Sequence, residues 1–339
     1  MKSLIDILVH ILHDCSMRCG ANPKRDILTV SRRTKNEGDS FLTITLPAFC
    51  QGFERSLEEG YLSPAHFPKF RFRRGTRCPR FLGGYVERVF GPDGVLLTEP
   101  SSDCIFAVRQ VCLFAKKLRL NCTNRRERAA EASYVDVECA LRNHAVPDGL
   151  SHAFSSVSRI VWSDILGESG ITDSYQVFAP QHGPGTTVEG LRSNGKYRFP
   201  SWPSRLEAEF PFTEFGLASV RNIVGGDDSV SFPDTLLTPR DETPSKVVFV
   251  PKTQSKPRVI AMEPVCMQYI QQAIATWLIP RIEQRGRFTS GRVNFRDQKV
   301  NARLALDSSV SRVSATLDMS DASDRVSARL VRDMLRSFP

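Results

Sequence analysis

The amino-acid sequence predicts an α+β fold. Three observations predict it: helical apolar periodicity through roughly the first 150 residues, a Gly-, Pro- and Ser-rich middle, and strand patterning that begins after residue 245. The opening stretch "MKSLIDILVHILHDC" sets Leu4, Ile5, Leu8, Ile11 and Leu12 at helical spacing, interrupted by Asp6, His10 and Asp14. It is expected to be an amphipathic core helix, too short and too charged to span a membrane and without a signal-peptide cleavage pattern. "CIFAVRQVCLFAKKLRL", residues 104–120, has the same period. Residues 145–245 are rich in Gly, Pro and Ser, and "HGPGTTVEG" and "YRFPSWPSRLEAEFPF" read as ordered loops; in "HGPG", Gly183 and Gly185 fit a structural turn better than a phosphate-binding backbone.

After residue 245, "SKVVFVPK" reads as a strand, "TQSKP" as a turn and "RVIAME" as a second strand. "EPVCMQYIQQAIATWLIPRIEQR" follows as a helix expected to bend or end near Pro280. In "RVSATLD", Val313, Ala315 and Leu317 alternate with Ser314, Thr316 and Asp318, the pattern of a half-buried strand. A helix is then expected, with Val326, Leu330, Met334 and Leu335 on one face and Ser320 or Asp321 as its N-cap. The chain is thereby divided into residues 1–245 and 246–339.

Charge narrows the function. The 339 residues carry 46 Lys+Arg against 37 Asp+Glu, a formal net charge of +9. That excess points to a polyanionic partner, most simply nucleic acid, although a generic basic surface gives the same balance. The 41% hydrophobic content excludes global disorder. Nine cysteines without a C-x-x-C pair, and six histidines off zinc-ligand spacing, indicate reduced thiols in a cytosolic protein.

Two basic tracts stand out. "FPKFRFRRGTRCPRF", residues 67–81, holds six cations and four phenylalanines without an acid. Arg71, Arg73, Arg74 and Arg77 suit a nucleic-acid groove in which cations neutralise phosphates and rings stack on bases. A loop whose phenylalanines anchor it to the core, with its arginines merely solvated, fits the same residues. Between Lys246 and Val300 stand ten cations and three acids, with Lys252, Lys256 and Arg258 around the hairpin tip. Just downstream, "LDMSDASDRVS" gathers Asp318, Asp321 and Asp324. Carboxylates at a strand end beside a basic cleft suit a hard metal ion bridging nucleophile and phosphates. Acids favoured at a helix N-terminus account equally well for the spacing.

"TLDMSDASDRVS" resembles polymerase motif A, and "VPKTQSKPRVIAMEP" motif F, of the RNA-directed RNA polymerases of levivirus-like positive-strand RNA bacteriophages, the replicase beta subunits. "NFRDQKVNARLAL" fits the linking segment. "FLTITLPAFCQGFERSLEEG", "RFLGG", "AVRQVCLFAKKL" and "HGPG" also resemble replicase text, so the likeness extends over nearly the whole chain. The resemblance implies a right-handed polymerase fold, with residues 1–245 as fingers and an antiparallel palm opening near motif F. Asp318 becomes the first catalytic metal ligand, aided by the Met319 carbonyl, for Mg²⁺ with Mn²⁺ as a substitute. Asp324 senses the ribose 2′-OH, and Lys252, Lys256 and Arg258 contact the NTP triphosphate and template. Asp321 is left as a capping acid.

The implied partners are template RNA, NTPs and host translation factors, in the cytoplasm of the bacterial host, with no membrane and no DNA. The resemblance also implies palm motifs B and C after motif A, so the chain is expected to be the N-terminal portion of a longer replicase and inactive alone. Gly226-Asp227-Asp228 imitates motif C, but it precedes motif F, which argues for a solvated loop. The alternative function is a non-catalytic RNA-binding or replicase-assembly protein.

Overall fold

The computed structural model describes residues 2–167, 178–217 and 236–338. It is α+β and divides into two compact units, Met1–Glu131 with Phe249–Val259, and Ala132–Val248 with Ile260–Pro339. Among the described residues, no helix is long and apolar enough to cross a membrane.

The first unit is helical. Helices α1 (Lys2–Cys19), α2 (Lys24–Glu37), α3 (Leu46–Glu59), α4 (Gly83–Val86) and α5 (Ser102–Leu113) enclose one core, and a π-helical turn, Phe41–Thr45, leads into α3. α1 forms as its periodicity predicts, with Leu8 and Leu12 fully buried and Leu4 and Ile11 packed against the core. α5 stops at Leu113, shorter than the periodic stretch to residue 120; Ser101 caps it, accepting from the Cys104 N–H at 3.3 Å.

Phenylalanines fill the centre of this core. The Phe49 ring lies 4.9 Å from Phe67, 4.7 Å from Phe70 and 5.4 Å from Phe81, centroid to centroid. Each such ring contributes about 2–3 kcal/mol through burial. Gly52, on α3, has no room for a side chain, since a Cβ there would sit 2.1 Å from the His66 carbonyl oxygen. Asp26 is buried as well, and its Oδ1 accepts the Leu82 N–H at 2.8 Å. That bond steadies a non-glycine residue held at φ 52°.

In the second unit lie α6 (Asn124–Asn143, whose first turns belong to the first unit), α7 (Asp148–Leu166), β1 (Trp202–Pro203), α8 (Ser204–Glu209), α9 (Phe212–Phe215) and β2 (Leu236–Leu237). β1 and β2 pair in parallel, Trp202 opposite Leu236. β3 (Lys246–Val250) and β4 (Arg258–Met262) form the expected hairpin. α10 (Val265–Gln284) buries Cys266, Tyr269, Ile270, Ala273 and Trp277, a helical stripe, against Phe199, Trp202 and Phe212. α10 does not end near Pro280 but continues to Gln284. Proline removes one backbone bond. The adjoining turn gains Arg281, whose guanidinium stacks 3.9 Å from the Trp277 ring and donates to the Trp277 carbonyl at 3.2 Å.

α11 (Gln298–Ser311) begins at Asp297, whose Oδ1 accepts the Lys299 N–H at 2.9 Å. The strand expected over 313–317 is not formed. Residues 313–319 have no regular structure, and Val313, Leu317 and Met319 are 83%, 90% and 76% exposed. Alternating side chains specify a strand only where a neighbour supplies a ladder and an apolar surface, and no described strand pairs here. The following helix is also displaced. α12 (Ala328–Leu335) is capped by Ser327, which accepts the Leu330 N–H at 3.1 Å, and not by Ser320 or Asp321. Asp321 instead occupies a left-handed turn, φ 52°, before a short 3₁₀ turn at Ser323–Arg325.

Candidate nucleic-acid interface

Local chemistry shapes the hairpin tip. Thr253 Oγ1 lies 2.9 Å from Ser255 Oγ and accepts the Lys256 N–H at 3.3 Å, closing the turn with side-chain hydroxyls. Non-local contacts then fix its position within the first unit. The Gln254 side chain bonds to Thr43 Oγ1, which also donates to the Asp39 carbonyl at 2.9 Å. The Gln254 carbonyl accepts from Arg126 Nη1 at 3.3 Å, and Cys122 Sγ reaches the Thr253 carbonyl at 3.3 Å. Lys252, Lys256 and Arg258 stand exposed on this anchored turn. Thr43, Cys122 and Arg126 were not legible as site residues in the sequence, because they meet the tip across more than 120 positions.

The 67–81 tract separates into two kinds of residue. Phe67 and Phe81 are buried, Phe70 and Phe72 pack against the core, and Phe70 stacks on Phe81 at 5.3 Å. The expectation that these rings stack on bases is therefore corrected: they already have partners in the core. Arg33 ties the tract down, lying 4.7 Å from both the Phe41 and Phe70 rings and donating to the Lys69 carbonyl at 3.2 Å. Arg73 is half-buried and paired with Glu87, whereas Arg71, Arg74 and Arg77 are exposed.

Asp318 and Asp321 are exposed and Asp324 is half-buried, accepting from Ser323 Oγ at 3.3 Å. One aspartate and the Met319 carbonyl are hard oxygen donors, but a magnesium site asks for more. Among the described residues, no group of three or more His, Cys, Asp or Glu side chains is arranged to hold a metal ion. The donor set is incomplete among the described residues. Asp227 and Asp228 lie outside the described residues.

Two polar features of the second unit are self-contained. A cavity of about 310 Å³ is lined by Glu189, Arg205, Glu242, Ser245 and Glu263 among others. Glu189 accepts the Val265 N–H at 3.1 Å, Glu242 holds Arg205 at 2.8 Å and Glu263 accepts from Ser245 at 2.8 Å. In "HGPG", the Gly183 carbonyl accepts from Lys196, a lysine only 1% exposed, which also reaches Gln268 Oε1 at 3.5 Å. Neither Gly183 nor Gly185 is crowded, so this stretch acts as a turn that receives a buried cation. The His182 ring stacks on Tyr269 at 4.8 Å, and burial, with Lys196 second, holds its pKa below the ordinary value. The nine cysteines are all free.

The C-terminal third is similar to known proteins. Residues 219–337, which include the hairpin and the three aspartates, match the family described as RNA replicase, beta-chain. Over 89 residues, 26% of this chain, the sequence is 37% identical to the RNA-directed RNA polymerase subunit beta of Enterobacteria phage SP. It is 35% identical over 89 residues to the RNA-directed RNA polymerase beta chain of Escherichia phage MS2. The resemblance carried by the two motifs is thus shown for this region. The matched stretch spans 14% and 15% of those relatives' lengths. The upstream stretches that resemble replicase text precede the residues matched to the family.

Proposed function

We propose that this chain is the fingers and palm-entry part of an RNA-directed RNA polymerase of a levivirus-like bacteriophage. It copies viral RNA from NTPs as part of a longer replicase, in the cytoplasm of the bacterial host, and partners with other subunits, host translation factors among them. The observation that carries this reading is the order of parts inside the family match: an anchored basic hairpin, then the Asp318–Asp324 turn. In this reading Lys252, Lys256 and Arg258 neutralise the triphosphate and template backbone. Asp318 and the Met319 carbonyl are ligands for Mg²⁺ once the rest of the donor set is present, and Asp324 bonds the ribose 2′-OH.

The test is primer extension by a replicase that contains this sequence. Asp318→Asn is expected to abolish nucleotide addition. Asp324→Asn is expected to weaken discrimination between NTP and dNTP, because a site built to bond a hydroxyl rejects the analogue lacking it. Near-normal extension by Asp318→Asn would refute the polymerase reading. The second reading, an RNA-binding or replicase-assembly protein, draws on the same hairpin, since phosphate binding needs only its cations. It predicts salt-sensitive RNA binding with no effect of Asp318→Asn in any assay.

A further inference from the structure

Several cations of the first unit are paired with acids. Arg18 pairs with Asp103, Arg33 with Glu37, Arg55 with Glu59, Arg73 with Glu87 and Arg109 with Glu54. The exposed arginines of the 67–81 tract, Arg71, Arg74 and Arg77, are not so paired among the described residues, and a second segment shares that property. The connection from α5 into the first turns of α6, residues 116–128, carries Lys116, Lys117, Arg119, Arg125, Arg126 and Arg128 against the single acid Glu127. Lys116, Lys117, Arg119, Arg125 and Arg128 are exposed, and none of the six is in an ion pair among the described residues. Nor are Lys252, Lys256 and Arg258, which have no acid among their neighbours from Phe249 to Val259.

The two groups are joined. Cys122 and Arg126 make the contacts that hold the Thr253 and Gln254 carbonyls. Arg125 and Arg128 leave the same turns of α6 as Arg126. Like charges gathered this way repel one another, and a polyanion relieves that repulsion. The short polar side chains between the cations, Asn121, Thr123 and Asn124, suit phosphate and sugar oxygens rather than base reading.

We propose that residues 116–128 and the hairpin tip form one continuous surface for the phosphate backbone of an RNA strand. This inference rests on the polymerase reading for the identity of the polyanion, and it assigns RNA contact to a segment outside the family match.

The experiment uses the full chain and fluorescein-labelled oligouridylate and oligoadenylate, titrated by anisotropy between roughly 50 and 250 mM KCl. Lys117→Gln, Arg119→Gln and Arg125→Gln are combined in one variant. For three single-strand phosphate contacts, the slope of log affinity against log salt should fall by about 2, with at least a tenfold loss at low salt. The loss should be alike for both oligonucleotides. A charge-preserving variant, Lys117→Arg with Arg119→Lys and Arg125→Lys, should keep the wild-type slope; its failure to do so overturns a charge-based surface. Unchanged slope and affinity in the neutral variant overturn the inference and favour an acidic protein partner for this face. If Lys252→Gln with Lys256→Gln weakens binding in that case, the polymerase reading survives without it. Absence of salt-dependent binding by the wild-type chain overturns both.

Discussion

Asp26→Asn should stabilise the first unit at neutral pH, although it removes a charge that hydrogen-bonds a backbone amide. Asp26 is 4% exposed, and burial pushes its carboxyl up to about 6, against the downward pull of the Leu82 N–H, Arg73 and Arg25. The ordinary value is 3.8. Between those two values the folded chain holds a proton that the unfolded chain has released, so stability falls as pH rises through that window. This contribution is fully present below about pH 4 and gone above about pH 6, and the stability lost across the window is roughly 3 kcal/mol. Asparagine keeps an oxygen that can accept the Leu82 N–H at the same place, and it has no charge to desolvate.

The assay is urea unfolding followed by far-UV circular dichroism across about pH 4 to 7.5, wild type beside variant. The three tryptophans, Trp162, Trp202 and Trp277, all belong to the second unit and would not report on Asp26. The variant's advantage should grow by about 3 kcal/mol as pH rises and then level off above about pH 6.5. A variant that instead loses ground with rising pH would refute the reasoning. It would mean that attraction to Arg73 and Arg25 outweighs desolvation.

Five further outcomes are expected, the last from the order of the motifs in the sequence. Lys196→Met keeps the aliphatic stem but leaves the Gly183 carbonyl and Gln268 Oε1 without their donor, so the melting transition of the second unit should drop by about 1–3 kcal/mol. Gly52→Ala forces α3 off the His66 carbonyl and should cost at least about 1–3 kcal/mol by thermal melting. Ser327→Ala should cost about 1 kcal/mol through the lost cap, while Asp321→Asn, in a left-handed turn that asparagine also tolerates, should change melting by only a few tenths of a kcal/mol. Asp227→Asn with Asp228→Asn should leave primer extension by a replicase containing this sequence within about threefold; a thousandfold loss without unfolding would make that early Gly-Asp-Asp catalytic.

What the sequence made legible was local. Helix α1 follows from Leu8 and Leu12, and the hairpin from two short apolar runs on either side of a Thr-Gln-Ser-Lys-Pro turn. Periodicity could not say which side of a tract faces inward. The phenylalanines of 67–81 looked equally fit for bases or for a core, and only the position of Phe49 decides between them. The cap at Ser327 was hidden by three nearby aspartates, each a plausible cap by type. The anchors of the hairpin tip were beyond reach for a different reason: Thr43, Cys122 and Arg126 have ordinary neighbours in sequence, and their role is a matter of distant chain returning to them.

The same distinction separates the basic hairpin tip from the aspartate segment. A phosphate-binding surface needs cations held at fixed places and left unpaired, and one hairpin docked on a helical body supplies that. A metal-binding carboxylate set needs several oxygen donors converging on one point, which requires the segments that carry them to be held in place. Here the tip is bonded through Gln254 to Thr43 and Arg126, while the residues before Asp318 have no described strand beside them and expose Val313 and Leu317. Among the described residues the basic tip is therefore held in place, and the segment before Asp318 has no strand partner. RNA binding and nucleotide addition should accordingly part company: loss of the hairpin cations should weaken RNA binding by this chain, and Asp318→Asn should leave that binding unchanged.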